Sequence, residues 1–308
     1  MASITPLGPL VFNQALDDPE NVSAVVVVGD YLVVGGDETD RVQILKRNGD
    51  AYDVIHDLPL NTTGDEIDIE GLTYDGTHVY VIGAHSKTRD KVKPEEKTYA
   101  QNRKALKDLD NHPERDVLCR FALGADGAPS GLVSASLRSV IDADDILKRF
   151  VPIPSKDNGV DIEGLAAHGG SVYVGFRGPV LRGVWATVLK CRFGNPVTNP
   201  ELLFLTLGGL GCRDLVRVAG GFLVLAGPVG EGPPIFRVFF WDGKDCVPGT
   251  DRPAADTGKT ELLGEVIPAG NAKPEGMAVL SENGNTYDVM IVSDGVTNGA
   301  PTTYRIVR

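Results

Sequence analysis

One short motif recurs along the chain with the same continuation each time. Asp68–Leu72 reads DIEGL, Asp161–Leu165 reads DIEGL again, and Lys273–Met277 reads KPEGM. A Gly-containing turn and a short apolar run follow each copy, as in EGLTYDGTHVYVIGAH from Glu70 to His85 and EGLAAHGGSVYVGFR from Glu163 to Arg177. Two weaker copies then emerge, SAVVVVGDYLVVGGD from Ser23 to Asp37 and DLVRVAGGFLVLAGP from Asp214 to Pro228. The fifth, Glu275 to Asp294, has a longer turn around Asn283–Asn285. A unit that repeats in this way buries its hydrophobic face only against its neighbours, so the repeat dictates the fold.

Each copy reads as a β-hairpin, with a first strand closed by Gly and a second rich in Val, Leu and Tyr. The second strand is apolar on both faces, as in a strand buried between neighbouring sheets. A more mixed third run follows each hairpin: VQILKRNG, DVLCRFALG, ATVLKCRFG, FRVFFWDG and TTYRIVR. Fourth strands are predicted at AYDVIHDL, GLVSASLR, LLFLTL and ELLGEVI. Four strands per repeat is the unit of a β-propeller blade. The expected fold is all-β, a single propeller domain over residues 1–308, with five blades counted and six as the alternative. A sixth blade could only lie within residues 86–160, where no hairpin of the right kind is visible. A β-sandwich is the competing architecture, and five in-phase copies of one hairpin favour the propeller. The last repeat lacks a fourth strand after Arg308. The N-terminal PLGPLVF is therefore expected to close the ring on the last blade, removing two exposed sheet edges.

Two segments interrupt the repeat. Residues 86–116 are densely charged, and Pro94 followed by Glu95 and Glu96 predicts a helix over about 94–110, with Ala105, Leu106 and Leu109 as a narrow apolar face. The segment carries nine basic and seven acidic residues in a chain of net charge −12, and is expected to fold over the acidic mouth as a partial cover. Residues 142–160 read as a long connection between blades with one helical turn.

The charge balance, 30 Lys plus Arg against 42 Asp plus Glu, argues against a nucleic-acid or anionic-membrane surface, which needs clustered positive charge. The longest apolar runs are strand-sized, far short of the roughly 20 residues of a membrane span. MASITPLGPLVF has neither the basic nor the apolar region of a signal peptide, so a cytoplasmic location is expected. Cys119, Cys191, Cys212 and Cys246 form no CxxC pair and read as small buried strand residues rather than zinc ligands.

Strand order places the chemistry. The first strand of a blade starts at the end where the second stops, so one mouth collects Ser23, Glu70, Glu163, Asp214 and Glu275. Asp37, His85, Arg177 and Asp294 surround them, with Asp68, Asp161, Arg213 and Lys273 beside the motif. Both insertions leave from that same end, as around a binding mouth. Four carboxylates in one small ring raise each other's pKa. A Ca²⁺ or Mg²⁺ ion held by Glu70, Glu163, Asp214, Glu275 and Asp294 would relieve them. So would pairing with Arg177, Arg213 and Lys273, or protonation of one carboxyl group, which could then serve as an acid. The competing reading is architectural, with Glu-Gly locking one blade to the next. GxSxG, HExxH, a P-loop and a GxGxxG after a strand are all absent. His56, His78, His112 and His168 fall in turns or outer strands, and none pairs with another at metal-ligand spacing.

The pattern [DK]-x-E-G-[LM] at the start of the inner strand, in DIEGL, DIEGL and KPEGM, resembles bacterial propellers of unknown function and the esterase-like-phytase propellers. More distantly, by architecture and a carboxylate-lined axis, the chain is similar to calcium-dependent lactonase and phosphotriesterase propellers. Those carry Asn ligands, and no Asn stands at the motif positions here. The resemblance implies an acidic, metal-binding mouth. Together these readings give an expected metal-assisted hydrolase of a small ester or phosphoester. In it Glu70, Glu163 and Glu275 hold the cation or activate water, Asp214 and Asp294 assist, His85 is a general base, and Arg177, Arg213 and Lys273 orient an anionic substrate. The alternative is a non-catalytic propeller whose mouth binds a peptide, a metabolite or a protein.

Overall fold

Strands of Val, Leu, Ile and Tyr closed by Gly turns pair into five four-stranded antiparallel units in the computed structural model, which describes residues 2–308. From the axis outward, blade 1 runs Val22–Val28, Tyr31–Gly36, Arg41–Asn48 and Ala51–Pro59. Blade 2 runs Ile69–Tyr74, Val79–Gly83, Leu118–Leu123 and Pro129–Ala135. Blade 3 runs Asp161–His168, Ser171–Gly178, Trp185–Arg192 and Thr198–Thr206. Blade 4 runs Gly211–Val218, Gly221–Gly227, Phe236–Trp241 and Thr260–Val266. Blade 5 runs Lys273–Asn283, Thr286–Asp294 and Thr302–Val307, and takes its outermost strand, Ser3–Pro9, from the other end of the chain. Each inner strand touches the inner strands of the two adjacent blades, so the five form a closed ring. The fold is an all-β, five-bladed propeller, and the sixth-blade alternative is overturned. Apart from the two outer strands of blade 2, residues 86–160 add only a two-residue ladder, Lys87–Thr88 with Asp110–Asn111, and short helices.

Ring closure comes from two short strands. Ser3 pairs with Val307 and Pro9 with Thr302 on blade 5. One residue later Val11–Phe12 adds in parallel to the outer strand of blade 1. The N-terminus thus ties the last blade to the first.

The hydrophobic core lies between blades. Second strands such as Val79–Gly83 and Gly221–Gly227 are buried along their whole length, as their apolar character on both faces requires. Phe176, Leu165 and Val174 of blade 3 pack on Ile82 and Leu118 of blade 2, and Trp241 and Phe222 of blade 4 pack on Tyr173 of blade 3.

The helix expected over 94–110 is shorter. It spans Tyr99–Ala105, and Pro94–Lys97 form a turn instead. Thr98 sets the start: its side chain accepts the Gln101 N–H while the Gln101 side chain accepts the Thr98 N–H, a complete capping box that outcompetes Pro94 as an initiation point. A second helix, Arg138–Ala143, stands where the fourth strand of blade 2 was expected to end. Leu137 and Ile141, four residues apart and fully buried, turn one face into the cluster between blades 2 and 3. No described helix is long and apolar enough to cross a membrane.

Candidate functional site

All five inner strands share one irregularity. The ladder to the second strand skips a residue at the motif: Ser23, Glu70, Glu163, Arg213 and Glu275 in blades 1 to 5. A bulge re-aims the side chain it frees, which is why bulges collect at active sites. The skipped position therefore delivers one side chain per blade to the start of the inner strand. In blades 3 and 5 the residue after it must be small. A Cβ on Gly164 would lie 3.1 Å from the Asp214 Cα of blade 4, and one on Gly276 would lie 2.8 Å from the Ser23 carbonyl oxygen of blade 1. Glu-Gly thus combines an inward carboxylate with close approach of the next blade.

Blade 4 departs from the pattern, and Arg213, not Asp214, occupies the slot. Asp214 stands at the glycine position, and its carboxylate locks blades together. One oxygen accepts the N–H of Leu215 at 2.7 Å and the other the N–H of Met277 in blade 5 at 2.7 Å. Ser23 is architectural too, its hydroxyl donating to the carbonyl of Ile69 in blade 2. Both side chains therefore serve blade-to-blade contacts. Counting back from the hairpin turn identifies Arg213: Ser23, Glu163 and Arg213 each lie five residues before the last strand residue, at Val28, His168 and Val218.

The other side chains form an alternating chain of charge at one end of a cavity of about 480 Å³. Arg177 holds Asp161, with Nε 2.6 Å from Oδ2, and also pairs with Glu163. Arg213 reaches Glu163 through Nε at 2.9 Å and pairs with Glu275 through Nη2. Lys273 meets Asp294 at 2.5 Å, and Arg115 meets Asp68 at 2.5 Å and Glu66. Burial pushes the Glu163 carboxyl up to about 8, and the two guanidinium groups only partly offset it. Burial works against the Arg177 charge, but Asp161 and Glu163 outweigh it and keep the group protonated.

Two carboxyl groups lining the cavity are left over. Glu70 has no hydrogen-bond or ion-pair partner among the described residues, and burial, then Glu163, Asp68, Glu275 and Asp161, push its pKa well above the carboxylate range. Asp37 has a buried Oδ1 without a partner; burial, then Glu275, Asp68 and Asp294, push it up to about 8. In both, low dielectric and like charge favour the protonated form.

His85 lies outside this cavity, which corrects its expected place as a base there. It is 1% exposed; Nδ1 is 2.9 Å from the Gly83 carbonyl oxygen and Nε2 accepts the Leu137 N–H at 3.1 Å. Burial drops its pKa to about 4. The ring is a neutral clip between blade 2 and the following helix, and neither nitrogen is free for substrate.

The five residues expected to hold a cation do not assemble as one ligand set. Glu163 and Glu275 direct oxygens to Arg213, Asp294 to Lys273 and Asp214 to backbone N–H groups. Among the described residues no group of three or more His, Cys, Asp or Glu side chains is placed to hold a metal ion. Positive charge enters the ring instead as a guanidinium from blade 4.

The insertions border the cavity. Ser86, Thr88 and Lys91 from the outgoing leg, Arg115 from the return leg, and Ser155 and Lys156 from the second insertion all line it, and no residue of Tyr99–Ala105 does. Lys91 reaches across to Glu231 in the loop after blade 4's second strand at 2.6 Å, and Arg89 meets Asp157 at 3.0 Å. Pro228, Val229, Pro234, Phe236 and Pro268 give the opposite wall an apolar surface. The signal for Arg115, Lys91 and Lys156 lay only in their position within the insertions. All four cysteines are buried and free.

A family model described as protein of unknown function (DUF3616) matches residues 21–130 and 130–305. No curated protein matches the chain. Among solved structures, the glutaminyl cyclase of Myxococcus xanthus is 10% identical, with 99% of this chain and 96% of that chain covered at a TM-score of 0.49. A luciferin-regenerating enzyme is 11% identical, with 100% and 96% covered at 0.46. The PQQ-bound aldose sugar dehydrogenase of Streptomyces coelicolor is 11% identical, with 100% and 98% covered at 0.44. Likenesses this distant carry no activity or substrate to this chain.

Proposed function

The chain belongs to the DUF3616 family, whose description assigns no function, and from that premise we propose that its mouth hydrolyses a small ester or phosphoester by carboxyl acid–base chemistry. The observation that carries this reading is Glu70, a carboxyl group without a partner inside a cavity of about 480 Å³, where burial and neighbouring carboxyl groups raise its pKa. A carboxyl group whose protonated form is favoured, beside guanidinium groups, is suited to protonating a leaving oxygen. Glu70 donates its proton to the departing alkoxide. Asp37, whose pKa is pushed up to about 8, takes a proton from the attacking water only in its ionised form, so turnover is expected to rise with pH toward 8. Water adds across the acyl or phosphoryl to oxygen bond, and solvent returns the proton from Asp37 to Glu70. Arg177, Arg213 and Lys273 place positive charge near the oxygen that becomes anionic. The strap at Ser86–Lys91 acts as a partial cover that narrows access. No step runs through a divalent cation, since four of the five residues expected to hold one, Glu163, Glu275, Asp294 and Asp214, are engaged by Arg213, Lys273 and backbone, which leaves Glu70 alone.

The second reading, a non-catalytic module binding a metabolite or peptide, draws on the chain Asp161–Arg177–Glu163–Arg213–Glu275, which is paired before any ligand arrives. Assay of p-nitrophenyl esters and phosphoesters separates the two. The hydrolase reading expects turnover that Glu70→Gln lowers by about 10²–10⁴-fold with the melting temperature preserved. Absence of turnover by the parent protein leaves the binding module, and turnover at an unchanged rate in Glu70→Gln removes Glu70 as the acid.

A further inference from the structure

The inner strands carry the chain from the mouth to the opposite face, where a second cavity of about 690 Å³ opens between blades 2, 3 and 4. Its walls are basic and aromatic. The Arg120 guanidinium lies 4.6 Å from the centroid of the Phe193 ring, and Tyr80 meets the same ring edge-on at 5.5 Å. Arg217, at the end of blade 4's inner strand, stands 5.9 Å from the Phe222 centroid, with His168 beside it. Asp75 is the one acid in the lining, and its oxygens are committed. Oδ1 accepts the N–H groups of Thr77 and His78 at 2.8 Å each, and Oδ2 accepts the Tyr80 hydroxyl at 2.9 Å.

Neither guanidinium pairs with a carboxylate among the described residues. Arg120 reaches only the Tyr80 hydroxyl at 3.5 Å, and Arg217 donates to the Gly221 carbonyl at 2.8 Å. A chain of net charge −12 thus leaves two uncompensated cations in one cavity. Aromatic contact fixes both groups while leaving most of their five N–H donors free, and fixed, partly desolvated guanidinium groups bind oxyanions well. Tyr74 and Phe193 line the same cavity and give it an apolar, aromatic wall for a ring.

We propose that this cavity binds a small anion carried on a flat ring, of the nucleoside monophosphate kind. Arg120 and Arg217 hold the anionic group and the aromatic wall takes the ring. The site is independent of the mouth. Calorimetric titration with AMP tests it, with adenosine and inorganic phosphate as separate arms. AMP is expected to bind at least roughly tenfold more tightly than either half alone. Arg120→Ala and Arg217→Ala, which sit on different walls, are each expected to weaken AMP binding roughly tenfold and their double variant roughly 100-fold. Thermal melts confirm folding, and Arg120→Gln replaces Arg120→Ala if that variant melts early. No binding of AMP up to about 5 mM, equal binding of inorganic phosphate alone, or an unaffected double variant overturns the proposal.

Discussion

Asp37 holds its proton more tightly in the folded chain than in the unfolded one, and stability must therefore depend on pH. Its pKa is about 8 when folded against 3.8 when exposed. Between those values the native state keeps a proton that the unfolded state has released, so this contribution to stability is complete below about pH 4 and is lost as pH rises through 8. Asp37→Asn keeps the shape and removes the titration. At pH 9 the variant should melt about 2–4 °C higher than the parent, corresponding to about 1–2 kcal/mol after allowance for water access, and at pH 5 the two should agree within about 1 °C. Parallel melting curves at both pH values would remove Asp37 from the buried acids. The three glutamates were legible because Glu-Gly serves two purposes, an inward charge and a close blade contact, which makes it visible as a motif. Arg213 was not, because the turn of blade 4 reads AGG and invites a one-residue slip that puts Asp214 in the slot. A period-2 strand punishes such a slip, since each residue of offset exchanges the two faces.

A single ring of atoms ties one element to the next at His85. Blade 2's second strand ends at Gly83, and the helix Arg138–Ala143 begins after Leu137; the imidazole spans both, bonded to the Gly83 carbonyl and the Leu137 N–H. Arg138 returns from the helix to the His85 carbonyl at 2.6 Å and to Asp116 at 2.7 and 2.9 Å. His85→Leu should therefore cost about 1–3 kcal/mol, the penalty of leaving a buried donor or acceptor unmade. The pH dependence of any turnover at the mouth should not move. A lost limb in the rate profile with stability unchanged would restore His85 as a base. The sequence shows why this helix escaped notice: six residues are too few for a clear 3.6-residue period, and only Leu137 and Ile141 mark its buried face. The charged helix was visible but overextended, because Pro94 and two glutamates are good start signals and only the Thr98–Gln101 box decides between them.

The molecule as a whole depends on Ser3–Pro9, and the need for that strand followed from counting: four repeats have four strands each and the last has three. It pairs with Thr302–Val307 along its length, and Ile4 packs against the cluster between blades 4 and 5. The close fit is visible at Gly264, where an added Cβ would meet the Ile4 side chain at 3.0 Å. Deleting residues 2–9 removes the ladder and that side chain, and cuts the covalent path by which Val11–Phe12 joins blade 5 to blade 1. At about 0.5–1.5 kcal/mol net per hydrogen bond, plus about 1–2 kcal/mol for a partly buried isoleucine, the loss should reach roughly 3–6 kcal/mol. In a chain of this size that lowers the melting temperature by roughly 6–15 °C. The deletion also bares the edge of Thr302–Val307, a β-prone run that can pair with a second chain. Size-exclusion chromatography should therefore show concentration-dependent self-association absent from the full chain. A synthetic peptide of residues 2–12 added in trans should reverse both effects by refilling the edge. If the truncated chain melts within about 2 °C of the parent and stays the same size at every concentration, the ring is held by inter-blade packing alone and the terminal strand is dispensable.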